Sequence, residues 1–234
     1  MTRFSWLSGA QQARSRRVHR GDAVVVGSGP NGLAAAIVLA RAGMRVVVRE
    51  QADGIGGGLR CAELTLPGFT HDICAAVHPL GASSPLFRAL PLAAHGLEWV
   101  HPPAPLAHPF DHAPAAVLEH SLAATAERLG RDGRAWRRLL EPFVEGWPHL
   151  VADILAPLRL PRHPLRLARF GLYGLRSATG LVARRFTADA ARVLIAGNAA
   201  HSMVPLDRSP TAAFGLTLVA AGHAVGWPVV RGGS

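Results

Sequence analysis

The sequence predicts an α/β protein that opens with a βαβ unit and continues into a mainly helical segment. Two short runs of β-branched residues, at 23–26 and 45–50, predict buried parallel strands. Residues 31–42 between them have helical spacing, and Gly43 follows where glycine commonly ends a helix. A strand, a helix and a strand in so short a stretch indicate a compact βαβ unit.

The composition is that of a globular protein rather than of a disordered tail or a disulfide scaffold. The chain has 234 residues, of which 49% are hydrophobic and 17% charged, and it contains 2 cysteines. Its net charge of +10 comes from arginine, since the sequence has no lysine. A bias in the coding DNA explains this arginine content as well as a selected basic surface does, so we expect no nucleic-acid partner. No apolar run approaches the roughly 18 residues of a membrane-spanning helix.

Three segments are predicted along the chain. Residues 1–21 are expected to form a disordered basic arm, 22–75 the βαβ unit with a glycine-rich loop, and 76–234 the mainly helical segment. The arm has no apolar region of the kind that signal peptides carry, so a cytoplasmic location is expected.

Turn and cap residues divide the rest of the chain. Pro67-Gly68 predicts a type II turn and a hairpin around it. Pro142 and Pro148 are expected to kink or end the helix around them. Residues of the N-cap type predict four helix starts, at Ser121, Asp132, Thr187 and Ser209.

A glycine-rich turn follows the first predicted strand directly. It reads Gly27-Ser28-Gly29-Pro30-Asn31-Gly32, which has the spacing G-x-G-x-x-G. Gly27 permits the tight turn, Gly29 lets the backbone approach a pyrophosphate, and Gly32 allows the helix and strand to pack closely. The helix N-terminus offers N–H groups and a partial positive charge to phosphates. A glycine-rich turn in another α/β fold is the alternative interpretation.

Two further features support a Rossmann-like dinucleotide site. Glu50 ends the second strand and, with the adjacent Gln51, is expected at the ribose hydroxyls. A second glycine-rich loop follows at residues 56–60. The backbone of Gly57 and Gly58 is expected to close over the same pyrophosphate, with Arg60 adding a charge-assisted contact.

With these motifs the chain resembles the phytoene-desaturase-like, FAD-dependent oxidoreductases of the amine-oxidase superfamily. Its later motifs are similar to the branch named for pyridine nucleotide-disulfide oxidoreductase domain-containing protein 2. The stretches that carry the resemblance are residues 26–36, Glu50, 56–60, 63–72, 199–202, 222–228 and 231–234.

The resemblance implies that the βαβ unit holds FAD through its ADP half and that the flavin performs a redox reaction on an apolar substrate. It names no catalytic side chain, and no catalytic triad is expected. An NAD(P)-dependent oxidoreductase with the same fingerprint is the alternative.

Members of this family are considerably longer than the chain. The resemblance therefore implies an N-terminal fragment whose sheet is incomplete and whose substrate domain is truncated. A non-catalytic fragment, or a subunit with a partner chain that supplies the missing strands, is a further alternative.

Several other residues have side chains that can bind a metal or take part in redox chemistry, but their spacing is not that of a metal site or a dithiol redox centre. His71, Cys74 and His78 lack a fourth ligand, so no metal is expected. Cys61 and Cys74 do not form the C-x-x-C of a dithiol redox centre.

Three features of the helical segment have two interpretations each. His201 and His223 are expected to be structural, with a role in the substrate pocket as the alternative. Residues 158–176 interleave arginine with leucine, which predicts either a surface helix or a peripheral membrane contact on anionic lipid.

Overall fold

The computed structural model describes residues 5–7, 21–156 and 159–234. The chain divides into two compact units. The first unit runs to Ala76 and includes Val230–Ser234, and the second unit spans Val77–Val229. The prediction put residues 230–234 in the C-terminal segment. They belong to the first unit, where the Ser234 N–H donates to Asp72 Oδ1 at 2.8 Å.

The first unit begins with the predicted βαβ arrangement. Strands β1 (Ser5–Leu7), β2 (Ala23–Val26) and β3 (Val46–Arg49) form a parallel sheet in the order β1-β3-β2. Helix α1 (Pro30–Arg41) connects β2 to β3 and ends before Gly43, whose φ is +87°. The predicted α/β start is therefore confirmed. The sequence did not predict β1, and residues 1–4 and 8–20 of the predicted disordered arm lie outside the described residues.

An antiparallel hairpin completes the first unit. Strands β4 (Cys61–Glu63) and β5 (Thr70–Asp72) pair with Cys61 opposite Asp72. The Phe69 N–H donates to the Leu66 carbonyl at 3.1 Å across Pro67-Gly68, and Gly68 has a φ of +85°. These are the features of a type II turn, so that prediction is confirmed.

The second unit is mainly helical. Two of its short strands, Leu106–His108 and Ala116–Leu118, form an antiparallel pair. Short 3₁₀ turns lie at Leu92–His95, Gly130–Asp132 and Ala200–Ser202. Its helices are α2 (Pro79–Ser83), α3 (Pro85–Arg88), α4 (Leu122–Arg128), α5 (Gly133–Glu145), α6 (Trp147–Ile154), α7 (Pro164–Gly174), α8 (Ala178–Arg185), α9 (Asp189–Ala199) and α10 (Thr211–Ala224). Its strands are β6 (Trp99–Val100), β7 (Leu106–His108) and β8 (Ala116–Leu118), and β9 (Val229–Val230) lies at the unit boundary.

The predicted caps had mixed outcomes. Ser121 caps α4 as expected, because its hydroxyl accepts the Ala124 N–H at 3.2 Å. The helix start predicted at Asp132 is confirmed, because Asp132 stands at the N-cap position of α5. Its carboxylate, however, accepts the N–H groups of Thr187 and Ala188 and makes no cap hydrogen bond to α5. The predictions that Thr187 and Ser209 are N-caps were wrong, because Ala188 is the N-cap of α9 and Pro210 is the N-cap of α10.

The two prolines also behave differently. Pro142 lies inside α5, whereas Pro148 lies at the start of the separate helix α6, where its missing N–H costs no hydrogen bond. The helix predicted to kink or end at these prolines therefore does not end at Pro142; it ends at Glu145, before Pro148.

A large apolar core holds the second unit together. Trp136 and Leu140 of α5 are fully buried, and so are Ile195 of α9 and Leu216 of α10. Trp147 and Phe170 belong to the same cluster. Among the described residues, no helix combines the length and the apolar character needed to cross a membrane.

Candidate functional site

The turn between β2 and α1 requires glycine at two positions. Gly27 has a φ of +94°, which disfavours any other residue. A Cβ on Gly32 would overlap the Gly27 carbonyl oxygen, so the helix and the turn touch without room for a side chain. The N-cap of α1 is Gly29, which has no side chain to accept the first N–H groups, and Pro30 is the first helical residue. The start of α1, including Asn31, therefore offers free backbone N–H groups and the positive end of the helix dipole to a ligand.

The second glycine-rich loop meets the first at this helix start. A Cβ on Gly57 would lie 3.0 Å from Gly29 Cα, so the two glycine backbones approach closely. The Gly56 N–H donates to the Ser28 carbonyl at 3.1 Å, which ties the loops together. Gly56 and Gly57 both have positive φ values, +111° and +59°. The structure thus brings both predicted glycine loops to one place.

Glu50 lies beside the same turn and is fully hydrogen bonded there. Its Oε2 accepts the Ser28 N–H at 2.8 Å and the Ser28 hydroxyl at 2.5 Å. Its Oε1 accepts the N–H groups of Gln51 at 2.9 Å and Ala52 at 3.0 Å. The Ser28 hydroxyl is the largest of the influences that lower the pKa of Glu50 to about 2. Glu50 is therefore an ionised acceptor at neutral pH.

Three of the predicted residues have contacts that the sequence did not indicate. The Arg60 Nε donates to the Gly57 carbonyl at 3.0 Å, so Arg60 braces the glycine loop. Gly58 faces Cys74, whose Sγ would lie 3.7 Å from a Cβ on Gly58. Gln51 contributes its backbone N–H to Glu50. Their roles at a cofactor remain predictions.

Sequence reasoning missed two participants, Ala52 and Gly56. Both act through backbone N–H groups, which any non-proline residue has. The only sequence signal was that Gly56 begins the run of three glycines.

The described cysteines and histidines of the first unit do not form a metal cluster. No group of three metal-ligating side chains occurs among residues that the structure describes. Cys61 and Cys74 are free thiols, and the hydrogen bond from Cys61 Sγ to Asp72 raises the pKa of Cys61. His71 pairs with the Thr65 hydroxyl at 2.8 Å.

His223 in the second unit is a buried structural residue. Its Nε2 accepts the Trp136 indole N–H at 3.2 Å, and its Nδ1 lies 3.3 Å from the His120 carbonyl oxygen. Burial lowers its pKa to about 4, so the ring is neutral near pH 7. His201 also contacts its own unit, with Nδ1 3.1 Å from the Asn198 carbonyl oxygen and its ring edge against Trp227. These contacts favour the structural interpretation of both histidines.

Comparison with known proteins agrees with the first unit's geometry. Residues 25–90 match the model of the NAD(P)-binding Rossmann-like domain. All-trans-retinol 13,14-reductase of Danio rerio is 41% identical over 95 residues, which are 39% of this chain and 14% of that protein. A limonene dehydrogenase chain of Castellaniella defragrans is 31% identical over 125 residues, 53% of this chain and 22% of that protein. The matches thus span less than a quarter of these relatives' own length.

Solved structures extend the likeness over most of the chain. Wild-type putrescine oxidase bound to putrescine has a TM-score of 0.56 at 19% identity, covering 91% of this chain and 46% of that one. A CLA-producing fatty acid isomerase from P. acnes has a TM-score of 0.52 at 17% identity, covering 92% and 47%. These neighbours share the fold. The likeness in fold includes the mainly helical segment after the Rossmann-like start.

Proposed function

We propose that the chain carries the dinucleotide-binding and part of the substrate-binding region of an FAD-dependent oxidoreductase. The observation that carries this proposal is the meeting of the α1 N-terminus, the Gly56–Gly58 backbone and the Glu50 carboxylate in the first unit. A pyrophosphate needs close backbone approach and N–H donors, and the adjacent ribose needs an ionised acceptor. FAD, when bound, supplies hydride-transfer chemistry.

Different residues of the site would hold the different parts of the ADP half of FAD. Gly29 and the first N–H groups of α1 would hold the pyrophosphate, and Gly57, whose backbone lies against Gly29, would leave this approach free of side chains. Arg60 braces the Gly57 loop through the Gly57 carbonyl. Glu50 would accept hydrogen bonds from the ribose hydroxyls, because its low pKa leaves it negatively charged.

Ser28 competes with the ribose for Glu50. A carboxylate has about four acceptor positions, and Glu50 already accepts from the two donors of Ser28 and from two further N–H groups. The backbone donors are fixed, whereas a hydroxyl rotates about one bond. The Ser28 hydroxyl is therefore the group that gives way to a ribose hydroxyl.

The relatives support an apolar substrate. Retinol and limonene, after which two of them are named, are apolar molecules. We extend this class, and not either compound, to the chain. No side chain is assigned to catalysis.

A visible absorption spectrum of the purified chain, taken after addition of FAD and desalting, tests the proposal. We expect flavin bands near a one-to-one ratio. Glu50→Gln should weaken FAD retention about tenfold, because the variant loses a charged acceptor, while Ser28→Ala should retain FAD at least as tightly as the parent. A chain that is folded by circular dichroism yet retains no flavin would overturn the proposal.

An NAD-dependent oxidoreductase is the second candidate, favoured by the match to the NAD(P)-binding Rossmann-like domain. Glu50 at the end of β3 favours a free ribose over a 2′-phosphate, so this candidate predicts NAD rather than NADP. Quenching of tryptophan fluorescence by NADH, without flavin retention, would select it.

A subunit that works with a partner chain is the third candidate. β2 is an outer strand of the described sheet, and its Val24 and Val26 are exposed, Val26 at 84%. Exposed apolar residues on an edge strand favour pairing with another chain. Folding that depends on protein concentration or on a co-expressed chain would support this candidate.

A further inference from the structure

Helix α7 of the second unit exposes leucine side chains to solvent. Leu165 and Leu172 are two helical turns apart on one face, with side chains 85% and 68% exposed, and Leu175 follows at 70%. The opposite face holds Phe170 and Gly174, both buried, so the helix is packed on the core and its orientation is fixed. Leu160, just before the helix, is 91% exposed. Leu158, the first residue of the predicted contact 158–176, lies outside the described residues.

Arginine flanks these leucines, and no acid lies close to them in the sequence. At helical spacing Arg169 lies next to the line from Leu165 to Leu172. Arg162 precedes the helix and Arg176 follows its end. The sequence has no Asp or Glu from residue 159 to 188. The nearest acid before this stretch, Asp153, has a buried side chain that accepts the backbone N–H groups of Arg162 and His163. We call these residues the leucine–arginine face: Leu160, Arg162, Leu165, Arg169, Leu172, Leu175 and Arg176.

A cavity opens at the edge of this face. It has a volume of about 370 Å³, apolar walls that include Phe143 and Leu150, and Leu165, Arg166 and Arg169 on its lining. A Cβ on Gly146 would overlap the Arg166 guanidinium, so this cation lies against the C-terminal end of α5. A space with an apolar wall and cationic lining matches a molecule with an anionic head and a hydrocarbon chain.

We propose that the leucine–arginine face docks the protein on an anionic lipid surface. Exposed leucines on a helix parallel to the surface enter the boundary of the acyl chains, while the flanking guanidinium groups remain at the level of the phosphates. Charge complementarity selects this occupant: a nucleic acid would match the arginines but not the leucines between them. The proposal does not depend on FAD binding.

Vesicle flotation with the full chain tests the docking. The protein should float with phosphatidylcholine vesicles that contain phosphatidylglycerol and remain below with pure phosphatidylcholine, and added salt should weaken the binding. Arg162→Gln with Arg169→Gln should weaken binding about 30-fold, taking the usual contribution of each cation near an anionic surface. The matched control removes two exposed arginines of α5, Arg134→Gln with Arg138→Gln, and should have a much smaller effect.

Leucine variants distinguish docking through this face from attraction by net charge alone. Leu165→Gln with Leu172→Gln keeps every charge and should weaken binding at least about tenfold. Leu64→Gln with Leu66→Gln, two leucines of the first unit with 60% and 64% exposure, is the matched control and should bind as the parent does. Circular dichroism checks that each variant is folded.

Three outcomes would overturn the proposal. One is equal binding by the parent and the α7 leucine variant, which would mean non-specific attraction of a basic protein. Another is no binding to anionic vesicles at low salt. The third is a stable dimer that these leucine substitutions dissociate, which would assign the face to a second copy of the chain.

Discussion

The two units of the molecule are stabilised in different ways. The first unit has a small buried core, made of Ala36, Ala40, Val46 and Val48, and its shape depends on glycines that admit no Cβ. The second unit buries tryptophan, phenylalanine and leucine side chains from several helices. Backbone geometry thus dominates the first unit and side-chain packing the second, so different substitutions should damage each.

The largest expected effect is on the second unit's core. Trp136→Ala removes a fully buried ring that contacts Phe186 and donates to His223, and it should lower the free energy of unfolding by about 4 kcal/mol. Denaturant titration by tryptophan fluorescence measures this, since Trp99, Trp147 and Trp227 remain. Amide exchange at Val46–Val48 should not change. Equal loss of protection there would show that the two units unfold together.

Asp132 provides the second prediction. Its carboxylate is buried and accepts the Thr187 N–H at 2.9 Å and the Ala188 N–H at 2.7 Å, so Asp132→Ala should cost about 3 kcal/mol. Burial raises the pKa of Asp132, but these hydrogen bonds outweigh it and the pKa is lowered. Its contribution is therefore present at neutral pH and lost on acidification. Asp189→Ala, at an exposed acid of the adjacent helix, is the control and should cost much less.

The pH dependence of the second unit should reveal His223. Its pKa is about 4 when folded and near 6.5 when unfolded, so the unfolded state binds more protons between these values. Stability should be constant above pH 6.5 and fall by about 3 kcal/mol as the pH drops towards 4. His223→Gln keeps an acceptor for Trp136 and should flatten this slope. An unchanged slope in the variant would contradict the assignment.

The glycine turn tests the first unit in the same way. Gly32→Ala places a Cβ against the Gly27 carbonyl and should cost about 2 kcal/mol, measured by faster amide exchange at Val46–Val48. Gly54→Ala is the matched control, because its nearest neighbour would be Arg60 Cδ at 3.8 Å. Amide exchange in the core helices of the second unit should not change for either variant.

The smallest effect is expected at the exposed ion pair of the first unit. Asp22 and Arg45 lie 2.9 Å apart, and the hydrogen bond from Arg45 lowers the pKa of Asp22 to about 2. Both side chains are solvated, so Asp22→Asn should leave thermal unfolding at neutral pH within experimental error. A large loss would mean that surface charge, rather than backbone geometry, stabilises the first unit.

Prediction from sequence succeeded where a few adjacent residues decide the conformation. Pro67-Gly68 forms the type II turn, and Ser121 caps α4, because each depends on local backbone preferences. Asp132 begins its helix as predicted, but the sequence did not indicate the hydrogen-bond partners of its carboxylate, which lie 55 and 56 positions away. Pro142 was expected to kink or end its helix; α5 does not end there but continues to Glu145, with Trp136 and Leu140 packed in the core.

The sequence by itself determined the βαβ start, the two glycine loops and the acid at the end of β3. The spacing of the glycines follows from the steric limits of a turn that has no room for side chains. Tertiary structure alone decided that the Ser28 hydroxyl donates a hydrogen bond to Glu50, that His223 is neutral beside Trp136, and that the leucines of α7 are exposed. The physical reason is that burial and hydrogen-bond partners depend on residues distant in the chain, which only packing brings together.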